Sequence, residues 1–263
     1  SQSEIQDRLI VLALAKASGA NMRMARIYFE GGNTLPYGDM VLLGKDITLH
    51  NQKISGSKNH WGVRKSIEED FFPVNPVWFG DLSPQEKHTC QPCGQSFSYQ
   101  PFFHLDLFLM PAGINGKGIP RFGLAKVDKE LISGSSIDTS ALAGKLEKQL
   151  EEIASQIREQ IHPEAEIVRV PLVLHLDEHQ PRVFSPCNGL YEATSGGDRV
   201  ILPNYLPGAP DRHWRPRLKR QQAEIEKIWK KEGVRTNWMA NGFFQDVEKC
   251  GALHCRIKVI RRQ

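Results

Sequence analysis

A thiol, an imidazole and several carboxylates stand in this sequence where they could serve one site. Cys255 ends the segment Gly251-Ala252-Leu253-His254-Cys255, ahead of a basic tail from Arg256 to Arg262. A cysteine attacks well as thiolate, which needs a nearby cation, an imidazolium or backbone donors. Phe103-His104-Leu105-Asp106-Leu107 carries an imidazole and a carboxylate at alternate positions. On a strand these share one face, about 6–7 Å apart. An imidazole can give a proton to a leaving group and then take one from water. A carboxylate can hold that imidazole in place or grip a cationic substrate. Glu30-Gly31-Gly32-Asn33 adds an acid and an amide around paired glycines. Glycines there allow a tight connection or a close backbone approach. Several carboxylates beside one thiol are unusual for a protease. They suit a cationic electrophile, such as a guanidinium carbon.

These groups need elements to position them. Met24 to Phe29 reads as a strand closed by Gly31-Gly32-Asn33, a hairpin connection, and Met40 to Leu43 as the next strand. Val63 to Phe71 reads as a short helix with Ile67 and Phe71 inward. Phe72 to Pro84, with three prolines, reads as an irregular connection. Phe102 to Met110 is the clearest strand. Phe103, Leu105, Leu107 and Leu109 form its core row, and His104, Asp106, Phe108 and Met110 the opposite row. Gly123 to Ile132 is another strand. Leu142, Leu146, Leu150, Ile153, Ile157 and Ile161 make one apolar stripe at helical spacing, and Pro163 ends that helix. Ile167 to Leu176 is a strand. Leu190 to Thr194 and Val200 to Pro203 make a hairpin across Gly196-Gly197-Asp198. Leu218, Ile225, Ile228 and Trp229 mark a second helix, which Gly233 caps before a last section from Val234. Strand pair, helix, strand recurs, which predicts an α/β fold of small sheet-and-helix units.

Composition narrows the function classes. The chain has 263 residues, 40% of them hydrophobic, and a formal net charge of +4. That supports a substantial core and one domain spanning 1–263. The nearest thing to a basic patch, Arg212 to Arg220, contains Pro216 and no aromatic except Trp214. It reads as solvated loop and helix start, not as a nucleic-acid surface. Five cysteines, an odd and sparse set, argue against a disulfide scaffold. Cys90-Gln91-Pro92-Cys93 has the spacing of half a zinc knuckle or of a redox pair, but no second pair follows, so plain thiols are expected. No apolar run reaches the eighteen or so residues of a membrane-spanning helix. No signal peptide is read, and reduced thiols favour the cytoplasm, with secretion the alternative. Ser1 at the start suggests a processed or trimmed piece.

Taken in order, an early acid, the middle His104-Leu105-Asp106 and the final His254-Cys255 resemble the guanidino-group modifying enzymes of the pentein superfamily. Glu30-Gly31-Gly32-Asn33 and the stretch Asn188 to Tyr205 add to the resemblance, which touches nearly the whole chain. The ending, with Val259-Ile260-Arg261-Arg262, is most similar to the peptidylarginine deiminase pattern, within a branch that also holds agmatine deiminases. The resemblance implies an α/β propeller of ββαβ-like units around a central site, its first repeat reduced. It implies Cys255 as nucleophile, His104 as general acid then base, and Asp106 as a guanidinium clamp. Gln6-Asp7 resembles the end of the family's aromatic-x-x-Asp segment, which makes Asp7 the second clamp, although no tryptophan precedes it. Glu30 and Asn33 are candidate substrate contacts, Glu30 also a support for the site. His254 would point away from the nucleophile on an extended chain and reads as structural. The expected substrate is an arginine within a protein. Free arginine, agmatine, dimethylarginine and amidinotransfer are the alternatives within the fold. No organic cofactor is implied, and calcium activates only some peptidylarginine deiminases. From other classes, a Cys-His-Asp amide hydrolase or transglutaminase would use the same side chains, and a non-enzymatic α/β interaction domain would use none of them.

Overall fold

The structure is a computed structural model that describes residues 16, 31–45, 47–48, 51–52, 56, 59–71, 73–80, 86–89, 96–99, 104–134, 139–176, 181–210 and 213–247. Within it one arrangement occurs three times. Strands β1 (Thr34–Tyr37) and β2 (Met40–Gly44) form an antiparallel hairpin, helix α1 (His60–Phe71) follows, and β3 (Asn75–Phe79) lies parallel to β2. Strands β4 (Glu86–Thr89) and β5 (Ser96–Tyr99) form a separate two-stranded sheet. The second unit is β6 (Leu109–Ile114) antiparallel to β7 (Pro120–Gly134), then α2 (Thr139–Gln160), then β8 (Glu166–Leu176) parallel to β7. There β9 (Pro181–Phe184) adds a fourth, antiparallel strand. The third unit is β10 (Leu190–Glu192) with β11 (Arg199–Asn204), then α3 (Arg215–Lys231), then β12 (Arg235–Gly242) parallel to β11. A short helix, α4 (Phe244–Val247), closes the described chain.

The helices form where the apolar period demands. In α2, Leu146, Leu150, Ile153 and Ile157 are buried, while Leu142 and, just past the helix end, Ile161 pack at the margin of the same cluster. In α3, Leu218, Ile225 and Trp229 are buried, and so is Gln221, a polar residue on the apolar face. Gln221 is satisfied: its Nε2 donates to the carbonyls of Pro171 at 3.0 Å and Phe184 at 2.7 Å. Gly233, at φ 72°, ends α3 in the left-handed region as expected. One apolar cluster draws Leu42 and Phe79 from the first unit, Leu109, Phe122 and Val170 from the second, and Leu202 and Trp229 from the third.

Three local readings are corrected. Phe72 to Pro84 is not wholly irregular, because it contains β3. Pro76 is tolerated there because β3 lies at the edge of the sheet order β1-β2-β3. Gly31-Gly32-Asn33 does not lead directly to the strand at Met40: it is a 3-10 turn that runs straight into β1, a strand the sequence did not suggest. Phe102 to Met110 is not one strand. Leu105–Leu107 is a second 3-10 turn, and the strand begins at Leu109. The predicted strand at Met24 to Phe29 lies outside the described residues, as do Cys90 and Cys93, which fall between β4 and β5 in the chain. Among the described residues no helix is long and apolar enough to cross a membrane.

Candidate active site

His104 and Asp106 are brought together by the turn, not by a strand face. His104 sits in extended conformation at the N-cap of the turn, with φ −120° and ψ 144°. The Leu107 amide donates to the His104 carbonyl at 3.2 Å, and the Phe108 amide to the Leu105 carbonyl at 3.0 Å. These local bonds use backbone groups that a ladder would otherwise employ. Pairing with β7 starts only at the end of the turn, where the Ala125 amide donates to the Phe108 carbonyl at 2.8 Å. Leu105 and Leu107 are both buried and anchor the turn in the core. Asp106, between them, is fully buried at 0% exposure, whereas His104 is partly exposed.

The first 3-10 turn supplies the facing wall. Asn33 is buried, and its Oδ1 accepts a hydrogen bond from the Leu105 amide at 3.0 Å, across 72 positions of chain. This fixes one turn to the other. At Gly32 an added Cβ would lie 2.6 Å from His104 Nδ1 and 2.9 Å from each Asp106 carboxylate oxygen. Imidazole and carboxylate therefore both border the place a Gly32 side chain would occupy, no further apart than the sum of those distances.

A third segment, Ser185 to Gly189, leads into β10 and is buried throughout. The Ser185 hydroxyl accepts from the Cys187 amide at 3.1 Å, and the Tyr205 hydroxyl donates to the Ser185 carbonyl at 2.9 Å. Burial pushes the Cys187 thiol up to about 12. A hydrogen bond with Ser185 and the charge of Arg169 oppose the rise, and the charge of Asp106 adds to it. Cys187 is thus close enough to Asp106 to feel it, yet it holds its proton at neutral pH and has no thiolate with which to attack. Glu147, on α2, accepts hydrogen bonds from the Val127 amide and from Arg169, tying helix, β7 and β8 together behind this segment.

The polar groups thus come from equivalent places in the three units. Gly32 and Asn33 precede β1, His104 and Asp106 precede β6, and Ser185 to Gly189 precede β10. Of the residues singled out in the sequence, Asn33, His104 and Asp106 are described and adjoin one another. Asp7, Glu30, His254 and Cys255 lie outside the described residues. Asn33 spends its Oδ1 on the Leu105 backbone. Sequence reasoning missed Gly32 as the meeting point of two side chains, and of the Ser185–Gly189 segment it took up only Asn188 and Gly189, within the stretch Asn188 to Tyr205. A run of small and polar residues, Ser185-Pro186-Cys187-Asn188-Gly189, directly before a strand was the available signal. Among the described residues no group of three or more His, Cys, Asp or Glu side chains gathers as metal ligands.

No protein-family model matches this chain, and neither does any curated protein. Solved structures do. One, described as "a putative peptidyl-arginine deiminase", superposes with a TM-score of 0.52 at 13% identity, over 93% of this chain and 62% of that one. A second, described as "the Putative Arginine Deiminase from Porphyromonas gingivalis", is a looser likeness. Its TM-score is 0.43 at 13% identity, over 86% of this chain and 55% of that one. The chain spans less than two thirds of the length of either. At such identity the likeness is one of fold: a mixed α/β architecture resembling that of the penteins.

Proposed function

We propose that this chain is a cysteine-dependent hydrolase of guanidinium groups, acting on arginine within a protein. The observation that carries the reading is the meeting of His104 and Asp106 at Gly32, in a fold shared with a structure described as a deiminase. A proton donor and a buried carboxylate at one point suit a substrate that is cationic and loses ammonia. The protonated state of Cys187 supports a nucleophile elsewhere in the chain, and Cys255 is the one its sequence context favours. In this reading the whole chain is a single catalytic domain, and its ββαβ units close into a propeller around the site.

The reaction begins with the Cys255 thiolate attacking the guanidinium carbon, forming a C–S bond. Asp106 and Asp7 align the guanidinium nitrogens and balance their charge, with Glu30 in support. The protonated imidazole of His104 delivers its proton to the departing nitrogen. The C–N bond breaks, ammonia leaves, and a covalent thiouronium remains. Neutral His104 then takes a proton from water, which attacks the same carbon. The C–S bond breaks, the thiolate is restored, the remaining hydroxyl proton passes to the released ammonia, and a ureido group is the product.

The test is ammonia release from an arginine-containing peptide, free arginine, agmatine and dimethylarginine, each with the native chain and with Cys255→Ala. Release from the peptide that Cys255→Ala abolishes is the expected result. Release from a small substrate alone would move the reading to another branch of guanidine chemistry. Silence on all four, with a Cys255 that ignores a haloacetamidine probe, would sink it. Asp106→Asn should weaken apparent affinity and turnover together, since a charge-assisted pair is lost. An unchanged affinity would remove Asp106 from the clamp.

A further inference from the structure

Most glycines that a β-carbon would trouble least in this chain are needed for backbone shape. Gly38, Gly118 and Gly233 have positive φ and nothing within 4 Å of an added Cβ. Gly32 is the reverse case. Its φ is not in the left-handed region, so another residue could adopt its backbone, but there is no room for one. An added Cβ would fall 2.6 Å from His104 Nδ1 and 2.9 Å from both Asp106 oxygens, inside the 3.0 Å that real Cβ atoms essentially never breach. The two carboxylate oxygens cannot easily give way. Asp106 is fully buried between the anchored Leu105 and Leu107, and the turn that carries it is tied to Asn33, the neighbour of Gly32. A methyl group here would press on the imidazole and the carboxylate together.

We propose that Gly32 is a positioning residue for the His104–Asp106 pair: its bare Cα lets imidazole and carboxylate close on one point, and any side chain at position 32 drives them apart. The catalytic consequence rests on the guanidine-hydrolase reading. The geometric one does not, and the experiment separates them. Gly32→Ala is compared with Gly144→Ala, a glycine on the outer face of α2 whose added Cβ meets nothing within 4 Å. Three quantities are read: the titration midpoint of the His104 imidazole by NMR, the melting temperature, and turnover on an arginine peptide. The melting temperature is read in the native chain and again with His104→Ala and Asp106→Ala in place. Gly32→Ala should move the His104 midpoint, and Gly144→Ala should not. Its melting penalty should shrink once both side chains are gone, because nothing is left to strike. Turnover should drop roughly a hundredfold, the scale expected when reacting groups are misplaced by about an ångström. An unmoved His104 midpoint, or an equal melting penalty in both backgrounds, overturns the proposal. Should Gly32→Ala alone not fold, recovery of folding in the doubly substituted background supports it, and continued failure there overturns it. Should the native chain release no ureido product, the functional reading falls while the titration and the melting comparison still decide the role of Gly32.

Discussion

At the scale of single residues, two buried groups make sharp predictions. Asn33 stands between the two 3-10 turns with its Oδ1 on the Leu105 amide. Asn33→Ala leaves that buried donor orphaned and should cost about 1–3 kcal/mol in urea unfolding. Cys187 gives a pH dependence. Its folded thiol keeps its proton to about 12, whereas an ordinary one loses it near 9.0. The folded pKa is raised, so the contribution is fully present below the ordinary value and is lost as pH rises through that window. Between pH 9 and 10.5 the native chain should lose stability with a slope steeper than Cys187→Ala by up to about 1.4 kcal/mol per pH unit. Equal slopes would mean that the thiol is not the buried proton holder. What the sequence showed at this scale was the chemistry of His104 and Asp106, because residue types are read directly. What it hid was their meeting at Gly32, 72 residues from His104, since packing against a distant backbone carbon leaves no local pattern.

At the scale of elements, legibility followed periodicity. Helix α2 was plain because Leu146, Leu150, Ile153 and Ile157 repeat at one period and are buried as that period requires. The turn Leu105–Leu107 was hidden because Phe103, Leu105, Leu107 and Leu109 alternate as a strand does. Short 3-10 turns have no period long enough to compete. Strand β3 was hidden because prolines read as breaks, yet Pro76 sits in an edge strand. Gln221, a polar residue on the apolar face of α3, bridges β8 and β9 to the helix through two carbonyls. Gln221→Leu should therefore destabilise the chain by about 1–3 kcal/mol despite greater hydrophobicity. A neutral or raised melting temperature would show that those carbonyls are met otherwise. The outer face of α2 behaves differently. Gly144→Ala should raise stability by about 0.5–1 kcal/mol, since a helical glycine is replaced in open space.

At the scale of the whole molecule, three ββαβ units share one apolar cluster. Units that fold on separate cores would melt separately. A shared core couples them, so far-ultraviolet circular dichroism and tryptophan fluorescence should report one coincident transition. Leu42→Ala, in β2 of the first unit, should lower that common transition by about 2–5 kcal/mol, not split it. Two resolved transitions would show that the units stand independently. The repeated pattern was legible from the order of strands and helices alone. The equivalence of the segments that precede β1, β6 and β10 was not, because their letters do not align: Gly-Asn, His-Leu-Asp and Ser-Pro-Cys-Asn-Gly.

That placement has a practical side. The hairpin turn between β6 and β7, Asn115 to Ile119, lies at the opposite end of β6 from His104 and Asp106, six strand residues and about 20 Å away. Lys117 projects there into solvent. A dye, an affinity handle or a bead attached through position 117 would sit at the far end of β6 from His104 and Asp106, so the molecule could be immobilised in one orientation without crowding them.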